Sequence, residues 1–248
     1  MKKWELVVLL ALVLAGCSDR SVAPTGVLEP DSPGAAAAAY LRADTYDSLL
    51  VRVDYAAGMA PVASSLAFLE HRLAQVTNKP GGVQVLLGSE LVAPVQSVYT
   101  VADCQAIERQ NRTLFSAGTQ AVIYVICVPG MSDRDLQGET TLGLSDSASS
   151  FVLFEATIQK NASFVVGRDL LEGAVLLHES GHLLGLVAHG TPELTSHQDP
   201  FSAAHCTGNG CLMQADSTSW NLIATAMGLG SVGFCEACLA DLRANGGR

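Results

Sequence analysis

Positive charge is scarce in this sequence: 14 Lys and Arg stand against 24 Asp and Glu, a formal net charge of −10. Holding nucleic acid by neutralising its phosphates needs the opposite balance, so general nucleic-acid binding is excluded. Long apolar runs are missing as well. The longest, Leu6 to Ala15, is about half of the roughly twenty residues that a membrane-spanning helix requires. Charged residues make up only 15% of the 248 and hydrophobic ones 49%. That balance rules out wholesale disorder and leaves ample chain for one core, with or without a tether. No G-x-S-x-G nucleophile elbow occurs, and no internal repeat is visible.

The N-terminus carries an ordered signal. Lys2-Lys3, the apolar run and the small residues before Cys17 describe a secretory signal peptide over residues 1–16. Leu14-Ala15-Gly16-Cys17 resembles the lipobox of bacterial lipoproteins. The resemblance implies cleavage before Cys17, lipidation of its thiol, acylation of the new amine and anchoring to the cell envelope. Ser18, not Asp, follows Cys17, which favours the outer membrane in a cell that has two. Residues 17–44 hold Pro24, Pro30, Pro33, Gly26, Gly34 and an alanine run, and read as the lipidated cysteine with a flexible tether. The folded domain is expected over residues 45–248. Its acidic charge discourages contact with anionic lipid beyond the anchor itself.

Within that domain, strand-like and helix-like segments alternate. Strands are predicted at Ser48–Tyr55, Val83–Leu87, Gln120–Val128, Thr140–Leu144 and Phe151–Glu155. Helices are predicted from Pro61 to about Val76, over Ala102–Leu114 and over Arg168–Leu184, the last stopped by Gly185. The order points to an α+β domain with an α/β-like N-terminal layer.

Five of the six histidines lie between positions 178 and 205, and His178-Glu179-Ser180-Gly181-His182 reads H-E-x-x-H. On a helix, positions i and i+4 share a face, so both imidazoles reach one ion while Glu179 stands beside it as a base. Apolar Leu170, Leu171, Ala174 and Val175 earlier in the same helix give the motif a buried base. Gly181 costs a helix about 1 kcal/mol relative to alanine, so a close neighbour is expected at that position.

With Gly185 the pattern extends to H-E-x-x-H-x-x-G, which resembles the metzincin clan of zinc peptidases. His205-Cys206-x4-Cys211-x-Met213, followed by Cys235-x-x-Cys238, resembles the archaemetzincin signature. The stretch 178–247 also resembles bacterial lipoproteins described as membrane metalloproteases. These likenesses imply a mixed zincin-type sheet, an active-site helix and a small cysteine-stapled C-terminal subdomain. They imply His205 as third zinc ligand, with His189 and His197 as alternates, and Met213 as the methionine of a turn beneath the metal. The chain departs from the family where Ala188 occupies the usual third-ligand position. It departs again where Leu186 to Ala204 intervene before His205, and in a longer spacer from Met213 to Cys235. His197 and Asp199 are open to a supporting role behind a ligand instead.

Cys206, Cys211, Cys235 and Cys238 suit either a structural zinc site or two disulfides, and export favours disulfides. Cys104 and Cys127 are then a further candidate pair. The family likeness implies an extended substrate laid along an edge strand near Phe151–Glu155. The function that follows is a membrane-anchored zinc endopeptidase acting on protein or peptide, with Glu179 as general base toward a zinc-activated water. The alternative is a non-catalytic surface lipoprotein that binds a partner and uses metal only for structure. An amide or glycan-peptide substrate is a further possibility.

Overall fold

The computed structural model describes residues 31–92, 94–215 and 232–248. The signal peptide, Cys17 and the tether up to residue 30 lie outside the described residues, as does most of the Met213–Cys235 spacer.

A five-stranded sheet runs β2-β1-β4-β7-β6. Its strands are β1 (Ser48–Tyr55), β2 (Gly82–Glu90), β4 (Gln120–Val128), β6 (Gly143–Ser145) and β7 (Ser150–Phe154). Every neighbouring pair is parallel except β6–β7, which is antiparallel. Two short strands, β3 (Val98–Tyr99) and β5 (Met131–Ser132), pair separately. β4 is buried along eight of its nine residues because helices cover both faces. Alternate residues divide accordingly. Ile123, Val125 and Cys127 enter the larger core, while Tyr124, Ile126 and Val128 enter the smaller one.

Helix α2 (Ala63–Val76) and helix α5 (Arg168–Leu183) pack on the larger-core face, α2 presenting Leu66, Leu69, Leu73 and Val76 to it. Helix α3 (Val101–Asn111) covers the other face with Cys104 and Ile107, its start fixed by a Thr100–Asp103 capping box. It ends three residues before the predicted Leu114. Helix α4 (Glu155–Asn161) follows β7 directly, so Glu155 opens a helix where a strand was expected. Helix α6 (Glu236–Ala244) closes the chain.

Three expectations are corrected. The alanine run read as tether folds: α1 (Ala37–Leu41) buries Ala37, Tyr40 and Leu41 in the main core. Lys79 holds it there, donating to the carbonyls of Ala39, Arg42 and Tyr46 from a side chain that is itself buried. Cys104 and Cys127 form no disulfide, since they belong to cores on opposite faces of the sheet. The Phe151–Glu155 segment is no edge strand, because β7 is wholly buried between β4 and β6. The edge is β6.

Candidate active site and cysteine cluster

Helix α5 owes its position to its own sequence. Leu171, Ala174, Val175, Leu176 and Leu177 are buried in the main core on most sides of the helix, which holds α5 inside the molecule. At its N-terminal end Arg168 binds the buried carboxylates of Glu155 and Glu172, while Glu172 also accepts from the Val62 amide at the start of α2. At its C-terminal end Gly185 takes φ +74°, and a side chain there would meet the Thr191 amide at 2.7 Å. The helix is therefore pinned at both ends, and the H-E-x-x-H turn lies on a fixed base.

His178 and His182 share one face, with ring centroids 4.8 Å apart and Nε2 atoms 3.1 Å apart. The loop after Gly185 returns His205 to them, 5.4 Å from His178 and 5.1 Å from His182 between ring centroids. One nitrogen from each ring falls within 4.8 Å of the other two. The Leu212 carbonyl lies 2.7 Å from His178 Nδ1, and Ser202 Oγ and the Ala203 carbonyl lie 2.9 and 3.0 Å from His205 Nδ1. Acceptors on Nδ1 hold the proton there and leave Nε2 free to coordinate. Ligands about 2.0–2.1 Å from a tetrahedral zinc ion stand about 3.3 Å apart, so the donor type and the spacing both fit. Burial lowers the affinity of His178 and His182 for protons, which keeps the lone pairs available; the neighbouring histidines deepen the effect at His182.

Glu179 is buried beside this trio. Burial pushes its carboxyl up to about 7, against the opposing pull of hydrogen bonds from Ser145 and the nearby charge of Arg134. Ser145 Oγ lies 2.8 Å from Glu179 Oε2. Gly143, two residues earlier on β6, packs so closely that a Cβ there would stand 2.8 Å from Glu179 Cγ and Oε1. The edge strand thus lies directly against the carboxylate. A cleft of about 840 Å³ opens over these groups, with residues 138–145 on one side and Ser202, Ala204 and His205 on the other.

The alternates for third ligand go elsewhere. His189 is half-buried on the cleft wall, outside the trio, and follows two non-glycine residues in left-handed conformation, Val187 and Ala188, both at φ 59°. His197 is buried against the cysteine cluster, between Asp241 and Cys206. Met213 is fully buried and explains Gly181: a Cβ at position 181 would stand 2.4 Å from Met213 Sδ and 3.1 Å from Phe234 Cε1. The close neighbour expected there is this methionine, beneath the histidine-bearing turn. Ser145, Gly143 and Arg134 had no motif to announce them in the sequence.

The four late cysteines also converge, their sulfurs all within 4.8 Å of one another. The leaning toward disulfides is overturned: all six described cysteines are free thiols, with Cys206 and Cys235 sulfurs 3.7 Å apart and Cys211 and Cys238 sulfurs 3.6 Å apart. A disulfide needs about 2.05 Å. Separations near 3.7 Å are those of four thiolates about 2.3 Å from a shared ion. Backbone amides support the same reading, with the Gly208 amide donating to Cys206 Sγ at 3.1 Å and the Cys235 amide to Cys211 Sγ at 3.3 Å. The cluster braces the histidine site. His205 adjoins Cys206, and the Cys206 amide donates to the Met213 carbonyl at 2.7 Å.

No family model and no curated protein matches the chain. Solved structures do. An archaemetzincin from Methanopyrus kandleri superposes with a TM-score of 0.50 at 16% identity, over 80% of this chain and 96% of its own. A zinc-dependent peptidase from Methanocorpusculum labreanum superposes with a TM-score of 0.45 at 14% identity, over 77% of this chain and 99% of its own. The mixed, mostly parallel sheet and the helices on it share the fold of that archaemetzincin.

Proposed function

We propose that the protein is a zinc-dependent endopeptidase, exported and held at the cell envelope by a lipidated Cys17. One observation carries the catalytic part: three imidazoles converge beside a buried carboxylate on the floor of a cleft bordered by a sheet edge. His178, His182 and His205 would hold the catalytic zinc, and Cys206, Cys211, Cys235 and Cys238 a structural one. A zinc ion with three protein ligands keeps an open position, polarises a carbonyl as a Lewis acid and lowers the pKa of water.

The remaining work falls to the chain. Glu179 takes the proton of the attacking water at a carboxylate oxygen and later passes it to the leaving amine. Ser145 holds the other oxygen, at 2.8 Å, and so fixes which face of the carboxylate is presented. Among the described residues β6 pairs only with β7, so its outer edge accepts an extended peptide as an added strand and sets the scissile bond over Glu179. The anchoring reading is supported by the Lys2-Lys3 start, the ten-residue apolar run and the Leu14–Cys17 lipobox.

The test is casein cleavage by the full-length protein and by Glu179→Gln, with zinc content measured on both. Cleavage that disappears in the variant while zinc stays bound supports the peptidase. Zinc binding in both without cleavage of any protein substrate favours the binding-module reading instead.

A further inference from the structure

The segment Leu186–Ala204, which sets this chain apart from the archaemetzincin pattern, is stitched to the cysteine cluster by one buried pair. Asp241 on α6 is 1% exposed and uses both carboxylate oxygens on this segment. Oδ1 accepts from the Leu194 amide at 2.7 Å, and Oδ2 lies 2.7 Å from His197 Nε2. The opposite ring nitrogen, His197 Nδ1, lies 3.2 Å from Cys206 Sγ, itself 1% exposed. His197 cannot drift from this position. Its carbonyl accepts from the Thr207 amide and hydroxyl at 2.8 and 3.0 Å, and Gln198 bridges Cys206 as an antiparallel pair.

Carboxylate, imidazole and sulfur in line resemble a cysteine nucleophile with its base. Burial excludes that use, since Cys206 has no access to a substrate and shares its sulfur with three other cysteines. We infer that Asp241 and His197 are positioning residues for the four-cysteine metal site, with His197 lying between two anions and donating Nδ1–H to Cys206 Sγ and Nε2–H to Asp241 Oδ2, so that Asp241 orients the ring. The donor adds to the Gly208 amide already directed at the same sulfur, so Cys206 accepts two hydrogen bonds. Hydrogen bonds to a ligating sulfur stabilise its thiolate form against protonation and fix its orientation, which makes it a better-retained ligand. His205 directly precedes Cys206 in the chain, so the pair also steadies the third histidine of the neighbouring site.

The inference rests on the metal reading of the four cysteines and not on the peptidase reading, so the test avoids catalysis. The full-length protein is loaded with zinc or with cobalt(II). Zinc release to a chelating indicator and the sulfur-to-cobalt charge-transfer band are then recorded for wild type, His197→Phe, His197→Gln and Asp241→Asn. His197→Phe should release the thiolate-held zinc at least about tenfold faster, in line with the usual cost of losing a partner behind a ligand. Its charge-transfer band should move to longer wavelength, because a sulfur without its hydrogen bond gives up electron density more readily. His197→Gln, which keeps an N–H donor, should restore both towards wild type, an outcome that mere space-filling would not produce. An unchanged release rate and band in His197→Phe overturn the inference. So does the absence of any thiolate band in the cobalt protein. Should His197→Phe fail to fold, Asp241→Asn decides: the same band shift sustains the inference, and no shift overturns it.

Discussion

Gly143→Ala is the smallest change that separates the proposed base, Glu179, from the proposed metal ligands. A Cβ at that position would stand 2.8 Å from Glu179 Cγ, 2.8 Å from Glu179 Oε1 and 2.8 Å from Val175 Cγ1. All three distances are below what carbon tolerates, and both neighbours project from α5, which is pinned at each end. Gly143 does not occupy the left-handed region, so alanine fits the backbone and the cost is purely one of space. Overpacking of this kind destabilises by about 1–3 kcal/mol. Glu179 must swing aside by up to about 1 Å, and misplacing a reacting group by that distance costs on the order of 10²-fold in rate, or roughly 2.7 kcal/mol of barrier. The three histidines are untouched, so zinc content should stay at the wild-type value. The assay is kcat/KM on a quenched peptide together with zinc content and urea unfolding. Activity within threefold of wild type, with the metal in place, would refute the claim that β6 positions the base.

Ser145→Ala removes the 2.8 Å bond to Glu179 Oε2 while leaving the strand intact. kcat should fall about tenfold with KM little changed, as measured by steady-state kinetics. Lys79→Met leaves the buried carbonyls of Ala39, Arg42 and Tyr46 without their donor, and urea unfolding should show a loss of about 1–3 kcal/mol. Gly181→Ala gains about 1 kcal/mol of helix propensity but forces Met213 Sδ back from 2.4 Å; a net loss of stability in thermal melts is expected, relieved in part by Met213→Ala. Glu155 is raised to about 8 by burial and then by the charge of Glu172. Its folded pKa exceeds its unfolded one, so its contribution is fully present below about pH 4.5 and is lost as pH rises through 8. Glu155→Gln should flatten that part of the stability-versus-pH curve in denaturant titrations.

The parts of the fold set by local pattern are legible in the sequence. β1, β4 and the span of α5 follow from continuous or periodic apolar sequence, and Gly185 stops α5 because only a left-handed residue fits there. His178, Glu179 and His182 were legible because four residues of helix place two donors on one face. What was not legible depends on tertiary packing. Glu155 reads as the end of an apolar strand, yet Arg168 and Gln159 draw it into a helix. β6 took over the edge because it is the short antiparallel strand laid against α5, a pairing that alternation alone cannot reveal. The destination of His197 was hidden because Asp241 lies forty-four residues downstream. For the late cysteines the compartment favours disulfides and the spacing suits either use, and only the distances between sulfurs decide between a bond and a shared ion.

The most direct measurement is anomalous diffraction at the zinc edge from crystals of the full-length protein. Two peaks are predicted, one bonded to His178, His182 and His205 with Glu179 adjacent but not coordinating, the other within the four cysteines. A peak that engages His189 in place of His205, or none between the helix and the loop, would contradict the account.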